Sequence, residues 1–278
     1  MLKQRVITAV LMLAVLLPAL FAPVAWPFAV LTLAMIGAAG WEWARLNGVA
    51  GTGAYAAGVL LSAACAVALW AGWSTTAPVV VWWVATLVWV LGGAWAMKAG
   101  PAGWPGLSRA VRLALGLVAL WTAWLALANA KSTGINFILS IFCLVWAADI
   151  FAYFGGKNFG RRKLAPAISP GKSWEGVWSG MLGVIVLAMV WIAIDRSQAV
   201  DSASLYTRLR EQQGPIGLVF TLVFLAAMSV VGDLVESLAK RAAGAKDSSN
   251  LLPGHGGVLD RIDALLPAFP LALALSSF

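Results

Sequence analysis

The chain has 278 residues, of which 62% are hydrophobic and only 11% charged, and its mean hydropathy is +0.88. Soluble domains average roughly 45–50% apolar and 25% charged residues, so the composition excludes an ordinary soluble protein and predicts a multi-pass protein of the lipid bilayer. The net charge of +8 is spread over short segments between apolar runs. This spread is typical of loops at a cytoplasmic membrane face, and we therefore expect no nucleic-acid partner.

Apolar segments follow one another along the whole chain, and a membrane-spanning helix needs about 20 such residues. The candidate helices are 6–22, 24–40, 52–73, 78–97, 111–129, 135–154, 174–194, 216–236 and 264–278. The first segment resembles a signal peptide but lacks a small-residue cleavage motif, so we expect a retained helix. The first two segments are short and separated by Pro23, which suggests a tight hairpin, and the last is short and contains Pro267 and Pro270. We expect an all-α membrane protein with eight or nine transmembrane helices.

The lysines and arginines predict the orientation of these helices. With a cytoplasmic N-terminus and nine spans, fifteen of the 19 basic residues fall on the cytoplasmic side, among them Lys3 and Arg5. This positive-inside bias predicts that the N-terminus is cytoplasmic. The two longest polar stretches, 155–173 and 237–263, then lie on that same side, where we expect them to share one site.

Residues 233–263 concentrate charge in an otherwise apolar chain. The acids are Asp233, Glu236, Asp247, Asp260 and Asp263, and the bases are Lys240, Arg241, Lys246 and Arg261. The spacing of the first acids, Ser237 and Lys240 places them on one helical face. Such a near-even mixture suits a metal–polyphosphate complex, because carboxylates bind a hard cation and bases bind phosphate oxygens. The alternative is an ion pair of the first two acids with Lys240 or Arg241 at the membrane interface.

Glycines surround the only histidine of the chain, in the segment PGHGG at 253–257. A glycine-rich backbone can approach a ligand closely and direct N–H groups toward it. His255, Gly256 and Gly257 are therefore candidate substrate-binding residues. A zinc site is not expected, since the chain has no second histidine and no suitable cysteine.

A second polar cluster occupies residues 149–176. Asp149 ends an apolar run, and we expect the glycines at 155, 156 and 160 to break the helix and Pro170 with Gly171 to form a turn. The residues around this turn form a candidate anion-binding site at a helix N-terminus, namely Ser169, Lys172 and Ser173. The basic run at 161–163 has a simpler alternative, which is attraction to anionic lipid.

The segment SLAKRAAGAKDSSNLLPGHGGVLDRID, residues 237–263, resembles the signature of the phosphatidate cytidylyltransferases, also called CDP-diacylglycerol synthases. More than a dozen positions match at fixed spacing. Shorter matches are MLKQRVITA at the start, WEW at 41–43, DIFAYFGGKNFG at 149–160 and SPGKSWEG at 169–176. The resemblance covers the whole chain and is strongest after residue 145.

The resemblance implies an integral membrane enzyme that transfers the cytidylyl group of CTP to phosphatidic acid, giving CDP-diacylglycerol and pyrophosphate for phospholipid synthesis. It implies Mg²⁺ as cofactor, a homodimer, and a location in the bacterial inner membrane with a cytoplasmic active site. The sequence shows no internal repeat, linker or separate soluble domain, so we expect one membrane domain, 1–278, with N-terminal helices of uncertain role in 1–130 and a catalytic half in 131–278.

The resemblance implies the two principal metal ligands, and the residues of the two clusters supply the other candidates. The metal would lie on Asp233 and Asp260, with Glu236, Asp263, Asp247 and Asp149 as weaker candidates, and a second cation remains an open alternative. The other catalytic candidates are Lys172, Lys240, Arg241, Lys246 and Arg261. The substrate-binding candidates are Ser169, Lys172, Ser173, Ser237, His255, Gly256 and Gly257.

Two other functions compete with this interpretation. One is a different CTP-using lipid enzyme, such as a polyprenol kinase or an archaeal-type ether-lipid cytidylyltransferase. The other is an ion-coupled transporter with Asp149, Asp233 and Glu236 as intramembrane ligands. A transporter predicts inverted repeats and polar residues at the centres of the spans, whereas the charges here fall at the predicted cytoplasmic ends.

Overall fold

A computed structural model describes the backbone of residues 2–277 and the side chains of residues 7, 8 and 10–277. The side chains of Lys3 and Arg5, two of the bases assigned to the cytoplasmic side, lie outside the described residues. The helices are α1 (Leu2–Phe21), α2 (Trp26–Leu46), α3 (Thr52–Trp70), α4 (Trp73–Thr76), α5 (Val79–Gly103), α6 (Arg109–Thr133), α7 (Ile135–Phe159), α8 (Trp174–Ser197), α9 (Leu205–Ala242), α10 (Leu259–Ile262) and α11 (Leu265–Leu275), with a 3₁₀ turn at Trp104–Gly106.

The prediction of an all-α, multi-pass membrane protein is confirmed. Within the described residues, seven helices are long and apolar enough to cross a membrane, namely α2, α3, α5, α6, α7, α8 and α9. The apolar part of α1 is shorter, Val10–Phe21. Helix α11 has 11 residues, and at about 1.5 Å per residue it is too short for a hydrocarbon core of about 30 Å. The exact number of spans, eight or nine, stays a prediction.

Helix α9 is longer than the predicted segment 216–236 because it continues across a kink. Gly214 adopts a left-handed backbone with φ of 71° and is followed by Pro215. Proline lacks the N–H that would continue the helical hydrogen bonds, so the axis bends here. The C-terminal part of α9 then extends to Ala242, beyond the apolar segment, and carries four charged residues of the first cluster, namely Asp233, Glu236, Lys240 and Arg241.

Helices α7 and α8 pack closely through glycines. Gly155 and Gly156 do not break α7 as predicted, since the helix continues to Phe159 and ends at Gly160. A Cβ atom on Gly180 of α8 would lie 2.7 Å from the carbonyl oxygen of Ala148, and one on Gly155 would lie 2.0 Å from Ser179 Oγ. In a membrane small residues allow two helix backbones to approach closely, so these glycines serve packing.

A two-stranded hairpin joins α7 to α8. Strand β1 (Lys163–Ala165) pairs antiparallel with β2 (Ser169–Ser173). The predicted turn at Pro170 and Gly171 is wrong, because both lie inside β2 and the turn falls at 166–168. Each strand of a two-stranded sheet is an edge strand, where proline is tolerated.

The polar loops gather at one end of the helix bundle. At the opposite end Asp201 accepts hydrogen bonds from the backbone N–H groups of Ile135 and Asn136, which connects the loop before α9 to the start of α7. The hairpin and the loop 243–258 therefore share the other end, with the last turns of α9. Thr8 Oγ1 donates to the carbonyl of Pro253 at 2.8 Å, so the start of α1 lies at this end too.

Candidate active site

The hairpin and α9 meet through an ion pair. Lys172 Nζ on β2 lies 2.6 Å from Asp233 Oδ2 on α9, and the two side chains are 25% and 28% exposed. Ser237, one turn further along α9, donates its hydroxyl to Asp233 Oδ1 at 3.2 Å. The structure thus joins the two polar stretches that the sequence places on one side of the membrane.

Lys240 connects α9 to α10. Its ammonium lies 2.6 Å from Glu236 Oε2 and 2.5 Å from Asp260 Oδ1. Glu236 is only 2% exposed, and a buried carboxylate is tolerated when it is paired. The alternative of an ion pair between Glu236 and Lys240 is therefore observed, whereas Asp233 pairs with the hairpin.

Asp260 organises the loop that precedes it. Its Oδ2 accepts hydrogen bonds from the backbone N–H of Ser248 at 2.8 Å, from Ser248 Oγ at 2.6 Å and from the N–H of Gly257 at 2.7 Å. Burial raises the pKa of this carboxyl, but hydrogen bonds from Lys240, Ser248 and Gly257 outweigh burial and lower the pKa to about 2. Hydrogen bonds to a charged form stabilise that form, so Asp260 is a carboxylate at every physiological pH.

Glu42 holds the same loop from the other half of the chain, a role that the sequence analysis missed. It is fully buried near the end of α2. Its carboxylate accepts from Ser249 Oγ at 2.5 Å and from the backbone N–H groups of Val258 at 3.0 Å and Leu259 at 2.7 Å. The only sequence signal was an acid between two tryptophans, which fits the end of a helix at an interface equally well.

The glycines of the PGHGG segment shape the loop and leave space for these carboxylates. Gly256 has φ of 82°, a conformation that favours glycine. A Cβ atom on Gly257 would lie 2.1 Å from Ser248 Oγ and 2.2 Å from Glu42 Oε1. His255 is half-buried, and its Nδ1 is buried without a hydrogen-bond partner among the described residues. Its imidazole thus retains an unused polar atom beside the loop.

Two further acids interact electrostatically with Lys172. Asp149 on α7 lies within electrostatic range of Lys172 and Asp233. Asp263 accepts from the backbone N–H of Ala264 at 2.8 Å. Burial, and after it the charge of Asp233, raises the pKa of Asp263. Lys172 therefore pairs with Asp233 and interacts electrostatically with two further carboxyl groups, Asp149 and Asp263.

The remaining predicted residues lie around this cluster. Arg241 donates to the carbonyls of Ile168 at 3.3 Å and Ala245 at 3.1 Å, so it fastens the hairpin turn to α9. Ser173 is buried and caps α8 by accepting from the N–H of Gly176. Ser169 is half-buried within β2, and the other three are exposed to solvent, namely Lys246, Asp247 and Arg261.

Comparison with known proteins identifies the family of the chain. The model of a family described as the cytidylyltransferase family matches residues 3–278. The chain belongs to the cytidylyltransferase family. It is 42% identical to a phosphatidate cytidylyltransferase of Pseudomonas aeruginosa over 282 residues, covering 99% of this chain and 97% of the relative.

Other relatives match over shorter segments. A phosphatidate cytidylyltransferase of Haemophilus influenzae is 49% identical over 137 residues, which is 49% of this chain and 44% of the relative. One of Bacillus subtilis is 38% identical over 145 residues, 51% of this chain and 48% of the relative. The cluster therefore belongs to a cytidylyltransferase that is similar along its whole length to one bacterial relative.

Whether this cytidylyltransferase site suits a divalent cation depends on the free acceptor capacity of its carboxylates. Within the described residues, no group of three or more His, Cys, Asp or Glu side chains is arranged to hold a metal. A carboxylate offers about four acceptor positions. Among the residues that the structure describes, Asp260 accepts four hydrogen bonds, from Lys240, Ser248 and Gly257, whereas Asp233 has two partners, Ser237 and Lys172. Oxygen ligands suit Mg²⁺. Asp233 therefore has acceptor positions free for a cation, whereas Asp260 has one only after it loses a hydrogen-bond donor.

Proposed function

We propose that this protein is a phosphatidate cytidylyltransferase. A phosphate oxygen of phosphatidic acid attacks the α-phosphorus of CTP, a new P–O bond forms, and the bond to the β-phosphate breaks. CDP-diacylglycerol and pyrophosphate are the products. A lipid phosphate is already ionised near neutral pH, so the reaction needs no strong general base.

The observation that carries the proposal is the cluster of alternating acids and bases at one end of the spanning helices, in a chain of this family. Lys172 comes from the hairpin and Lys240 from α9, and each ammonium contacts a carboxylate at 2.5–2.6 Å. Two polyanionic substrates have to be brought together here, and fixed positive charges lower the free energy of that approach. Since phosphoryl transfer depends mainly on positioning and electrostatics, this cluster supplies what the reaction requires.

Each base has a role that follows from its place. Lys172 and Lys240 bind phosphate oxygens when a substrate competes with their carboxylate partners. Lys246 and Arg261 are exposed beside the loop and contribute charge for the polyphosphate of CTP. Arg241 is a positioning residue, since it holds the hairpin that carries Lys172.

We propose Mg²⁺ as the cofactor, with Asp233 as its first ligand and Asp260 as the second. Asp149 and Asp263 both interact electrostatically with Asp233 and are further candidate ligands, whereas Glu236 is paired with Lys240 and Asp247 is exposed. When bound, Mg²⁺ polarises phosphate oxygens and neutralises charge on the leaving pyrophosphate. Lys172 and Lys240 hold the acids in place without it.

The location and assembly of the enzyme complete the proposal. The excess of bases at the end that carries the site supports a cytoplasmic active site, where CTP is present, in the inner membrane of a bacterium. The acyl chains of phosphatidic acid stay in the lipid while the head group enters the cleft. The homodimer that the resemblance implies is part of the same proposal.

The substrate assignment is tested with purified protein, Mg²⁺ and CTP labelled either in the α-phosphate or in the β- and γ-phosphates. With phosphatidate we expect a labelled CDP-lipid and, from the second label, pyrophosphate. Transfer of the γ-phosphate to a polyprenol, with no product from phosphatidate, would instead identify a different CTP-using lipid enzyme.

The site assignment is tested with Asp233→Asn and Lys172→Ala. Removing one preorganised electrostatic partner of a transferring group lowers kcat by about 10²–10³, and we expect a loss of this size from each variant. Lys98→Ala is the matched control, because Lys98 is an exposed lysine outside the cluster. Near-normal turnover by Asp233→Asn at saturating Mg²⁺ would contradict the metal assignment.

A further inference from the structure

A cavity between the end of α7 and the start of α8 shares no residue with the acid–base cluster. Its volume is about 820 Å³. It lies where the end of α7, the start of β1 and the start of α8 meet. Its main lining residues are Phe159, Arg161, Arg162, Trp174, Glu175 and Trp178.

The polar part of this cavity carries an excess of positive charge. The Glu175 carboxylate accepts hydrogen bonds from the backbone N–H groups of Arg161 at 3.0 Å and Arg162 at 3.1 Å. Both arginine side chains are exposed. Two positively charged guanidinium groups therefore outnumber one carboxylate, whose Oε2 already accepts backbone hydrogen bonds. The planar guanidinium matches the oxygens of a phosphate group in a two-point contact.

The apolar part of the cavity consists of aromatic rings exposed at the ends of spanning helices. Phe159 on α7 is 68% exposed, and Trp178 on α8 is 60% exposed. The rings of Trp174 and Trp178 stack with centroids 6.2 Å apart. Tryptophan is enriched where hydrocarbon meets head groups, and α7 and α8 are both long enough to span. The cavity therefore stands at the membrane–water boundary.

We propose that this cavity binds the phosphodiester head group of an anionic bilayer phospholipid, at a site separate from the catalytic cluster. The guanidinium groups of Arg161 and Arg162 contact the phosphate, and the exposed rings lie along the upper part of the acyl chains. A soluble phosphate compound would use the arginines but would leave the aromatic rings without a partner. A membrane lipid uses both.

Binding of phosphatidylglycerol to the detergent-purified protein, measured by native mass spectrometry without CTP, tests this site independently of the catalytic proposal. A base near a membrane surface changes lipid affinity by about fivefold. We therefore expect the double variant Arg161→Gln/Arg162→Gln to bind phosphatidylglycerol about 30-fold more weakly. Phosphatidylcholine, which has no net charge, should bind weakly to both proteins.

The matched control is Lys98→Gln/Arg109→Gln, which removes two exposed bases outside the cavity and should leave the affinity unchanged. An equal loss in this control, or no loss in the arginine variant, would overturn the proposal, as would equal affinity for phosphatidylcholine. If the glutamine variant does not fold, Arg161→Lys/Arg162→Lys replaces it. This variant keeps the charge but loses the two-point contact, so we expect an intermediate affinity, and wild-type affinity would refute the arginine–phosphate contact.

Discussion

The charged residues near the end of α9 divide into those that hold the backbone and those that face the cleft. The carboxylates of Glu42 and Asp260 accept hydrogen bonds from backbone N–H groups and serine hydroxyls of the loop before α10. Within the described residues, Asp233 contacts side chains alone, Ser237 and Lys172. Asp233 can therefore exchange its partners for a substrate or an ion without loosening the backbone. Glu42 stabilises the loop, and Asp260 both stabilises the loop and pairs with Lys240 through its other oxygen.

Glu42→Gln tests whether a buried acid of the N-terminal helices maintains the site. The amide loses one acceptor oxygen and points an N–H group toward existing donors, and leaving a buried group unsatisfied costs about 1–3 kcal/mol. We expect faster hydrogen exchange in residues 248–259 and lower turnover, with the helices intact. Hydrogen exchange with mass spectrometry measures the first and cytidylyl transfer the second.

Glu211→Gln is the control for this substitution, because Glu211 is an exposed acid in the first part of α9. It should alter neither exchange nor turnover. If hydrogen exchange in the loop is unchanged in Glu42→Gln, the loop keeps its shape without this carboxylate. The N-terminal helices would then have no demonstrated role in the site.

At the scale of elements, the pair α7–α8 determines where the hairpin stands. Helix α7 carries Asp149, and α8 starts directly after β2, which carries Lys172. The close approach of the two helices therefore sets the distance between these two charges. The glycine contacts between α7 and α8 therefore affect the geometry of the site as well as the packing of the two helices.

Gly180→Ala tests this dependence. The added Cβ would lie 2.7 Å from the carbonyl oxygen of Ala148, so one helix has to shift, and overpacking of this kind costs about 1–3 kcal/mol. We expect a lower apparent Tm in detergent and a lower turnover. Gly92→Ala is the matched control, since Gly92 lies in the interior of α5 and a Cβ there meets nothing within 4 Å. Equal Tm values for the two variants would show that the α7–α8 contact tolerates an extra methyl group.

For the whole molecule, composition predicted a membrane protein, because water does not accommodate so much apolar surface, and the lengths of the apolar segments predicted spanning helices. Spacing on one helical face predicted that Glu236 and Lys240 lie together, and positive-inside counting placed Lys172 and Asp233 on one side. The turn at Pro170 was wrong, because local turn preference was overridden by pairing with β1. Glu42 was missed because its partners lie more than 200 residues away, and no local pattern carries that information.

The orientation of the molecule is a sequence prediction that cysteine labelling tests. Lys246 follows the end of α9 at the site, whereas Arg210 lies before the kink, toward the other end of the helix; both are exposed. In a chain with Cys65→Ala and Cys143→Ala, we introduce either Lys246→Cys or Arg210→Cys and treat bacterial spheroplasts with a membrane-impermeant maleimide. Arg210→Cys should label in intact spheroplasts, and Lys246→Cys only after permeabilisation, because positive charge is retained in the cytoplasm. The reverse pattern would place the cluster outside, away from CTP, and would contradict both the orientation and the cytoplasmic site.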